Sequence, residues 1–228
     1  MKNQNKYYGK GVYTQNSEIS EKTKKESINL TKDEHLNDWY ATYYDGQFFI
    51  DCDSEDYLTN FYSKRSKYKQ RFDKWFKGLN LDGNLHLDYG FSTGKTLYWL
   101  SNRFTNITID SFDFNQNCNN IIKYIKNLNP KVRDLTIQDS SKLKYPKETY
   151  DSITAIDFYE HTPYKIMVES LKISYKILKN GGTIHIYVGK TVNPEHINLI
   201  SDVKTIELCE SLGFKLNREH DELLTFIK

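Results

Sequence analysis

The amino-acid sequence predicts a single α/β domain with a doubly wound, mostly parallel sheet, preceded by an N-terminal extension. From Leu85 onward, short apolar runs alternate with amphipathic patterns of 9–15 residues, which is typical of strands joined by helices. The chain has 228 residues, of which 38% are hydrophobic, so it can bury one large core. No apolar run reaches the roughly 20 residues that a bilayer-spanning helix needs, and we therefore expect no membrane contact.

The predicted elements follow one another in regular alternation. Apolar runs bounded by Gly, Asn or Asp predict strands at residues 85–88, 107–112, 134–137, 152–156, 183–188 and 223–227. Apolar residues at three- and four-residue steps predict helices at residues 95–103, 117–128 and 164–178, with another that ends near Leu212. The alternation places helices between parallel strands.

The first 80 residues differ from the rest in composition. Residues 1–35 are polar and show no sustained period, which predicts a loose arm. Six aromatic residues fall within residues 39–49, and residues 54–79 predict an amphipathic helix with a basic outer face. A turn at Asp82-Gly83 follows. We expect an N-terminal arm and aromatic-rich helical cap over residues 1–80 and the main domain over residues 81–228.

Charge and cysteine content restrict the partners and the compartment. The formal net charge is only +2, so a nucleic-acid partner is not favoured. Within residues 64–77, however, seven basic residues stand against the single acid Asp73, which fits a solvated helix face or contact with an anionic substrate or RNA. The three cysteines are far apart and lack metal-ligand spacing, so we expect no metal and a cytoplasmic, reducing location.

The loop after the first predicted strand is the expected ligand site, because doubly wound sheets bind ligands at the carboxyl ends of strands. It reads Asp88-Tyr89-Gly90-Phe91-Ser92-Thr93-Gly94-Lys95-Thr96. A P-loop also ends in Gly-Lys-Thr, but its first glycine would fall on Tyr89, so this loop is one residue short. An acid followed by small residues at every second position suits an amino-acid ligand, whose ammonium the acid receives. A tight turn without a ligand is the alternative.

The chain from Leu85 to Lys228 resembles the class I S-adenosylmethionine-dependent methyltransferases, because five motifs of that family occur in order. They lie at residues 87–94, 107–115, 136–140, 150–163 and 175–186, with Ser92 in place of a usual glycine and Asn180 in place of a usual proline. The resemblance implies a seven-stranded Rossmann-like methyltransferase fold, S-adenosyl-L-methionine as cofactor and methyl transfer as the activity. It also implies a set of cofactor-binding residues: Asp88, Tyr89, Gly90, Ser92, Gly94, Asp113, Phe114, Asp139, Ser140 and Asp157.

The family resemblance gives the acids separate roles. Asp88 would receive the ammonium, and Asp113, 25 residues later, would accept both ribose hydroxyls. Asp110 competes for that second role, but the apolar run extends through Phe112, which favours Asp113. Asp139 would accept from the adenine amino group.

Residues 39–45 resemble the Tyr-Asp stretch that folds over the cofactor in small-molecule members of the family. A cation such as a sulfonium that lies over an aromatic ring is stabilised by roughly 0.5–2 kcal/mol. Tyr44 is the leading candidate for the ring that covers the cofactor sulfonium. The alternative is that these aromatics only pack the arm onto the domain.

His161 is the leading candidate for a general base, since it follows the fourth motif strand at the expected substrate edge. A structural or cofactor-loop role for Glu160-His161 fits equally, and Asp157, Tyr187 and Lys190 are alternatives. We expect His86 and His185 in the core, because each alternates onto a buried strand.

The sequence therefore favours a methyltransferase that acts on an oxygen nucleophile of a small-molecule acceptor. An amine, RNA or protein acceptor is the alternative, and a P-loop nucleotide enzyme built on Gly94-Lys95-Thr96 is a third hypothesis. No motif distinguishes one acceptor from another.

Overall fold

The computed structural model describes residues 67–92, 94–115, 118–119, 122–189 and 198–228. These residues form a seven-stranded sheet in the order β3-β2-β1-β4-β5-β7-β6. Its strands are β1 Leu85–Tyr89, β2 Thr108–Asp113, β3 Val132–Ile137, β4 Tyr150–Ile156, β5 Leu178–Tyr187, β6 Lys215–His220 and β7 Leu223–Ile227. β1 to β5 pair in parallel, whereas β7 is antiparallel to both of its neighbours. The predicted mostly parallel, doubly wound sheet is confirmed.

The described helices cover both faces of this sheet. They are α1 Lys67–Trp75, α2 Lys95–Arg103, α3 Ile122–Leu128, α4 Tyr164–Ile177 and α5 Asp202–Ser211, with a 3-10 turn at Tyr159–His161. In the part of the chain that the structure describes, no helix has the length and apolar character to cross a membrane. The arm, the 39–49 aromatic cluster with Tyr44, and Lys190 lie outside the described residues. The domain boundary after residue 80 therefore stays a prediction.

Two strands differ from the sequence pattern by more than two residues, and α3 begins at Ile122 rather than at residue 117. β6 is not predicted, because its six side chains are all exposed or half-exposed and show no buried alternation. β5 begins at Leu178 rather than at Thr183, and a register shift opposite Tyr150 and Ser152 accommodates the extra residues. Gly182 is required there, because a Cβ on it would lie 2.9 Å from the Lys179 carbonyl oxygen.

The sheet separates two apolar cores. Helices α1, α2 and α3 pack on one face through Phe76, Trp99 and Ile125, and helices α4 and α5 pack on the other through Met167 and Cys209. All five side chains are at most 1% exposed, so both faces of the central strands are closed to water. This is the layer arrangement that a parallel sheet requires.

Helix α1 is antiparallel to β5. The Trp75 ring lies 4.2 Å from the ring of Tyr187, the last residue of β5, whereas the Phe76 ring lies 5.9 Å from His185, nearer the strand centre. The beginning of α1 therefore points to the carboxyl edge of the sheet. On its basic side, Lys69 pairs with Asp73 at 2.5 Å and Lys74 with Asp221 at 2.7 Å.

Asp110 is a buried anchor in the middle of β2. Only 2% of it is exposed, and its carboxylate accepts hydrogen bonds from the Arg133 guanidinium of β3 and, at 2.8 Å, from the Tyr150 hydroxyl of β4. The contact links three strands. It also removes Asp110 from the carboxyl edge, where the ribose-binding acid is expected.

We predict that Asp110→Ala lowers the free energy of unfolding by about 1–3 kcal/mol, because it leaves the Tyr150 hydroxyl without its buried acceptor. The half-exposed Arg133 regains water and adds little to this loss. Urea denaturation measures the change.

The matched control is Asp134→Ala on β3, a half-exposed acid whose nearest cationic partner, Lys126, is 3.8 Å away. It should change stability by less than about 0.5 kcal/mol. Equal losses in the two variants would contradict the anchoring role of Asp110.

Candidate active site

Four of the acids singled out in the sequence lie at one edge of the sheet. Strand order reverses between β1 and β4, which is the position where doubly wound sheets bind ligands. Asp88 is the penultimate residue of β1, Asp113 ends β2, and Asp157 follows β4 directly. Asp139 stands two residues beyond the end of β3. Because the paired strands are parallel, their carboxyl ends bring these acids together.

The loop after β1 turns sharply at Gly90. Its N–H group and that of Phe91 both donate to the Phe112 carbonyl of β2, at 2.9 and 3.2 Å. Gly90 has a φ of 79°, and a Cβ there would lie 2.7 Å from the Phe158 ring. Gly94, with a φ of 83°, precedes the first residue of α2. Both positions therefore need glycine, for backbone conformation and for space.

Asp113 holds this loop in place. Its two carboxylate oxygens accept hydrogen bonds from the backbone N–H groups of Ser92 and Asn115, each at 2.8 Å. Ser92 has a φ of 44°, which is uncommon for a residue with a side chain, and the bond to Asp113 stabilises it. Asp113 therefore anchors the loop after β1 to the carboxyl end of β2.

Asp88 is almost completely buried, with 1% of its surface exposed. The Thr154 hydroxyl donates to its Oδ1 at 2.7 Å. The Ser111 hydroxyl donates to the Asp88 backbone carbonyl at 2.7 Å and has a longer contact of 3.4 Å with Oδ2. Burial raises the pKa of Asp88 to about 7, an effect that the bonds from Thr154 and Ser111 oppose and the charge of Asp113 increases. Near neutral pH its carboxyl group therefore exists in both protonation states.

A series of hydrogen-bonded polar side chains leads to Asp88 from the opposite edge of the sheet, and all of them except the partly buried Asn84 are buried. The Asn84 amide donates to the Ser152 hydroxyl at 3.0 Å, which lies 2.7 Å from His86 Nδ1. His86 Nε2 lies 2.9 Å from the Thr154 hydroxyl. His86 is fully buried, as expected, and burial followed by the charge of His185 lowers its pKa to about 3. The sequence of β4 contained a sign of these hydrogen bonds, because the polar residues Ser152 and Thr154 alternate there with apolar residues.

The side chain of Tyr89 lies on the face of the sheet opposite to that of Asp88. Neighbouring residues of a strand point to opposite faces, so Tyr89 leaves the face that holds Asp88. Its ring packs 4.7 Å from Phe112, and its hydroxyl lies 2.7 Å from that of Ser174 in α4. Only the backbone of Tyr89 is available at the loop.

The segment after β3 forms a tight turn. Asp139 Oδ1 accepts from both the backbone N–H and the hydroxyl of Ser141, at 2.8 and 2.7 Å. Ser140 is fully buried, and Phe114, on the neighbouring loop after Asp113, is half-buried. These contacts fix Asp139 at the edge.

The segment after β4 holds the proposed base. Asp157 is exposed and has a φ of 48°, and the half-exposed His161 closes the following 3-10 turn. Glu160, which sequence reasoning did not select as a site residue, is fully buried. Its Oε1 accepts from the Gly189 N–H at 2.9 Å, while its Oε2 has no hydrogen-bond partner among the described residues. Burial, then the charge of Asp157, raises the pKa of Glu160 well above its usual range.

Glu160 thus joins the segment after β4 to the segment after β5. Its carbonyl also accepts from the Asn198 N–H at 3.1 Å. Tyr187 ends β5 beside this junction, with the Arg71 guanidinium 4.4 Å from the Trp75 ring and 5.1 Å from the Tyr187 ring. Aromatic and cationic groups of α1 therefore reach the same edge as the acids.

The chemistry of this edge fits S-adenosyl-L-methionine. Carboxyl groups accept hydrogen bonds, and the cofactor offers an ammonium, two ribose hydroxyls and an adenine amino group as donors. A phosphate group, in contrast, needs donors around it, so the same acids disfavour the P-loop hypothesis. The described residues contain no group of three or more His, Cys, Asp or Glu side chains placed to hold a metal ion.

Several solved structures share this fold. A TehB-like methyltransferase from Corynebacterium glutamicum superposes with a TM-score of 0.57 at 16% identity, over 76% of this chain and 95% of that one. A methyltransferase from Aquifex aeolicus superposes with a TM-score of 0.56 at 17% identity, over 80% of this chain and 97% of that one. The pyocyanin biosynthetic protein PhzM superposes with a TM-score of 0.58 at 9% identity, over 75% of this chain and 61% of that one. At these identities the likeness is one of fold alone.

Sequence comparison identifies the family. No curated protein matches this sequence. The sequence profile described as a methyltransferase domain matches residues 61–219, well over half of the chain. This chain therefore belongs to the methyltransferase domain family and is an S-adenosylmethionine-dependent methyltransferase.

Proposed function

We propose that the enzyme methylates an oxygen nucleophile of a small-molecule acceptor at the carboxyl edge of its sheet. The observation that carries the proposal is the placement of His161 on the turn after β4, beside the edge where the four acids meet. S-adenosyl-L-methionine supplies an activated methyl group on a sulfonium. The chain's own residues must bind both reactants, align them and exclude water.

We assign to the residues of this edge the cofactor-binding roles that the family resemblance implies. Asp88 receives the ammonium, and the turn built on Gly90, Ser92 and Gly94 brings backbone close to the ligand. Asp113 accepts the ribose hydroxyls. The turn after β3 receives the adenine, with Asp139 as acceptor and Ser140 and Phe114 as neighbours, while Asp157 at the tip of β4 lies beside the reacting centre.

An oxygen acceptor needs a group that takes its proton. His161 is half-exposed at the edge, so a substrate hydroxyl can reach it, and we assign it the role of general base. The buried bond from Gly189 to Glu160 holds the neighbouring residue, which stabilises the turn that carries His161. Asp157 is the alternative base.

An amine acceptor is the second candidate, because the exposed carboxylate of Asp157 would attract a protonated amine. RNA or protein acceptors receive less support. Two basic side chains of α1, Lys69 and Lys74, are already paired with Asp73 and Asp221. Fewer charges are then left to contact a polyanion.

We also propose that the aromatic segment around Tyr44 covers the cofactor. Support comes from the direction of α1, whose beginning points to the carboxyl edge. A cytosolic location is likewise proposed, supported by Cys118 and Cys209, which are buried free thiols.

Titration calorimetry with S-adenosyl-L-methionine tests the cofactor site. Asp113→Ala should weaken binding by about 10–100-fold, because hydrogen bonds to a charged group contribute roughly 1.5–3 kcal/mol. Asp110→Ala, which removes an acid from the same strand but away from the edge, should leave the affinity within about threefold of wild type in the folded fraction. Equal losses of affinity in both variants would contradict the role of Asp113.

Cofactor affinity should depend on pH through Asp88. Below its pKa of about 7 the carboxyl group is neutral and attracts an ammonium weakly, so affinity rises as pH increases through 7. It falls again as the cofactor's own amino group loses its proton near pH 8. Asp88→Asn should abolish the rise, and a wild-type affinity that is flat from pH 6 to 7.5 would refute this role.

His161→Ala should lower kcat by roughly 10²–10⁴-fold with a hydroxyl acceptor, while the cofactor Kd stays unchanged. The measurement is formation of S-adenosylhomocysteine with a panel of phenols, alcohols and amines. Asp157→Asn is the companion variant: a selective loss of amine turnover in it would favour the second candidate. Undiminished kcat in His161→Ala would remove the histidine from the mechanism.

A further inference from the structure

The two fully buried histidines of the sheet occupy similar positions but have different partners. His86 on β1 and His185 on β5 lie on the same face, separated by β4. Each is at most 1% exposed, and burial lowers the pKa of each to about 3, so both are neutral. His185 contacts the hydroxyls of Thr183 and Thr225 at 3.2 and 3.0 Å. Of the two histidines, only His86 is linked to Asp88, through its hydrogen bond with the Thr154 hydroxyl.

When Asp88 is ionised, the hydrogen-bond pattern fixes the proton position on His86. A threonine hydroxyl has one proton, and that of Thr154 is donated to Asp88 Oδ1 at 2.7 Å. The ring nitrogen facing this hydroxyl, His86 Nε2 at 2.9 Å, must then be the donor. Because the imidazole is neutral, its Nδ1 carries no proton and accepts from Ser152 at 2.7 Å.

Every bond in the chain is therefore oriented in one direction. Asn84 donates to Ser152, Ser152 to His86, His86 to Thr154, and Thr154 to Asp88. Asn84 lines a cavity of about 370 Å³ at the opposite edge of the sheet, together with Asp151 and Lys179. Successive donors polarise one another, and all of them favour the ionised carboxylate at the end of the chain.

We propose that His86 is a positioning residue for the cofactor site: its Nε2–H group orients the Thr154 hydroxyl so that this hydroxyl donates to Asp88. This inference rests on the proposed role of Asp88 as receptor of the cofactor ammonium. The remaining groups that face the carboxyl are the Ser111 hydroxyl and the charge of Asp113, both on β2. Neither of them contacts His86 in the described structure, so the effect of His86 passes through Thr154.

The experiment compares His86→Leu with His185→Leu by calorimetry with S-adenosyl-L-methionine from pH 6 to 8. Both variants remove a buried histidine from the same sheet face, so both should lose stability in urea denaturation. Only His86→Leu should weaken cofactor binding at pH 7.5, by about tenfold, and move the midpoint of the pH-dependent rise upward. His86→Gln, whose amide replaces the Nε2–H donor, should restore most of the affinity.

The proposal is overturned if the two leucine variants change the affinity and the midpoint equally, or if His86→Gln binds no better than His86→Leu. Asp88→Asn, measured in parallel, separates the two levels of inference. If it binds the cofactor as tightly as wild type, the role of Asp88 fails and the inference with it. If it loses affinity while His86→Leu does not, only the role of His86 fails.

Nitrogen NMR of the wild-type protein gives a test that needs no variant to fold. The chemical shifts of the two imidazole nitrogens distinguish the tautomers, and at pH 8 His86 should carry its proton on Nε2. A proton on Nδ1 at that pH would reverse the orientation of the chain and overturn the proposal.

Discussion

The site depends on the burial of one carboxyl group, Asp88, between three strands. An acid that is 1% exposed is unfavourable inside an apolar core unless hydrogen bonds compensate for lost water. The Thr154 hydroxyl donates to this carboxyl group, and the Ser111 hydroxyl donates to the Asp88 backbone carbonyl and lies 3.4 Å from the carboxyl group. Because Ser111 is on β2 and Thr154 on β4, β1 must lie between these two strands for both hydroxyls to reach Asp88. The burial of Asp88 therefore constrains the order of the strands and the polar side chains on β1, β2 and β4. It also sets the ionisation of the site.

The sequence predicted most of this architecture, for identifiable reasons. Parallel strands buried on both faces are nearly continuous apolar runs, and their ends are marked by acids and glycines. Asp113 was correctly preferred over Asp110 as the acid at the edge, because apolar residues continued as far as Phe112. The family motifs then supplied the seventh strand, which local pattern alone did not show.

What the sequence did not reveal depends on register or on exposure. Residues 86 and 154 are 68 positions apart, and only the pairing of β1 with β4 shows that they touch. The direction of the Tyr89 side chain likewise follows from the alternation of side chains along β1, which the motif alone does not show. Glu160 gave no signal beyond the motif, since its anchoring bond comes from Gly189, 29 residues later.

The two outermost strands, β3 and β6, carry exposed charged side chains, among them Arg133 on one and Lys215 and Glu219 on the other. An open sheet edge is a template for pairing with another chain, and charges along it make such pairing unfavourable. The polar composition that makes β6 hard to predict from the sequence therefore has a physical role. A polar edge strand ends the sheet and disfavours pairing with a strand of another molecule.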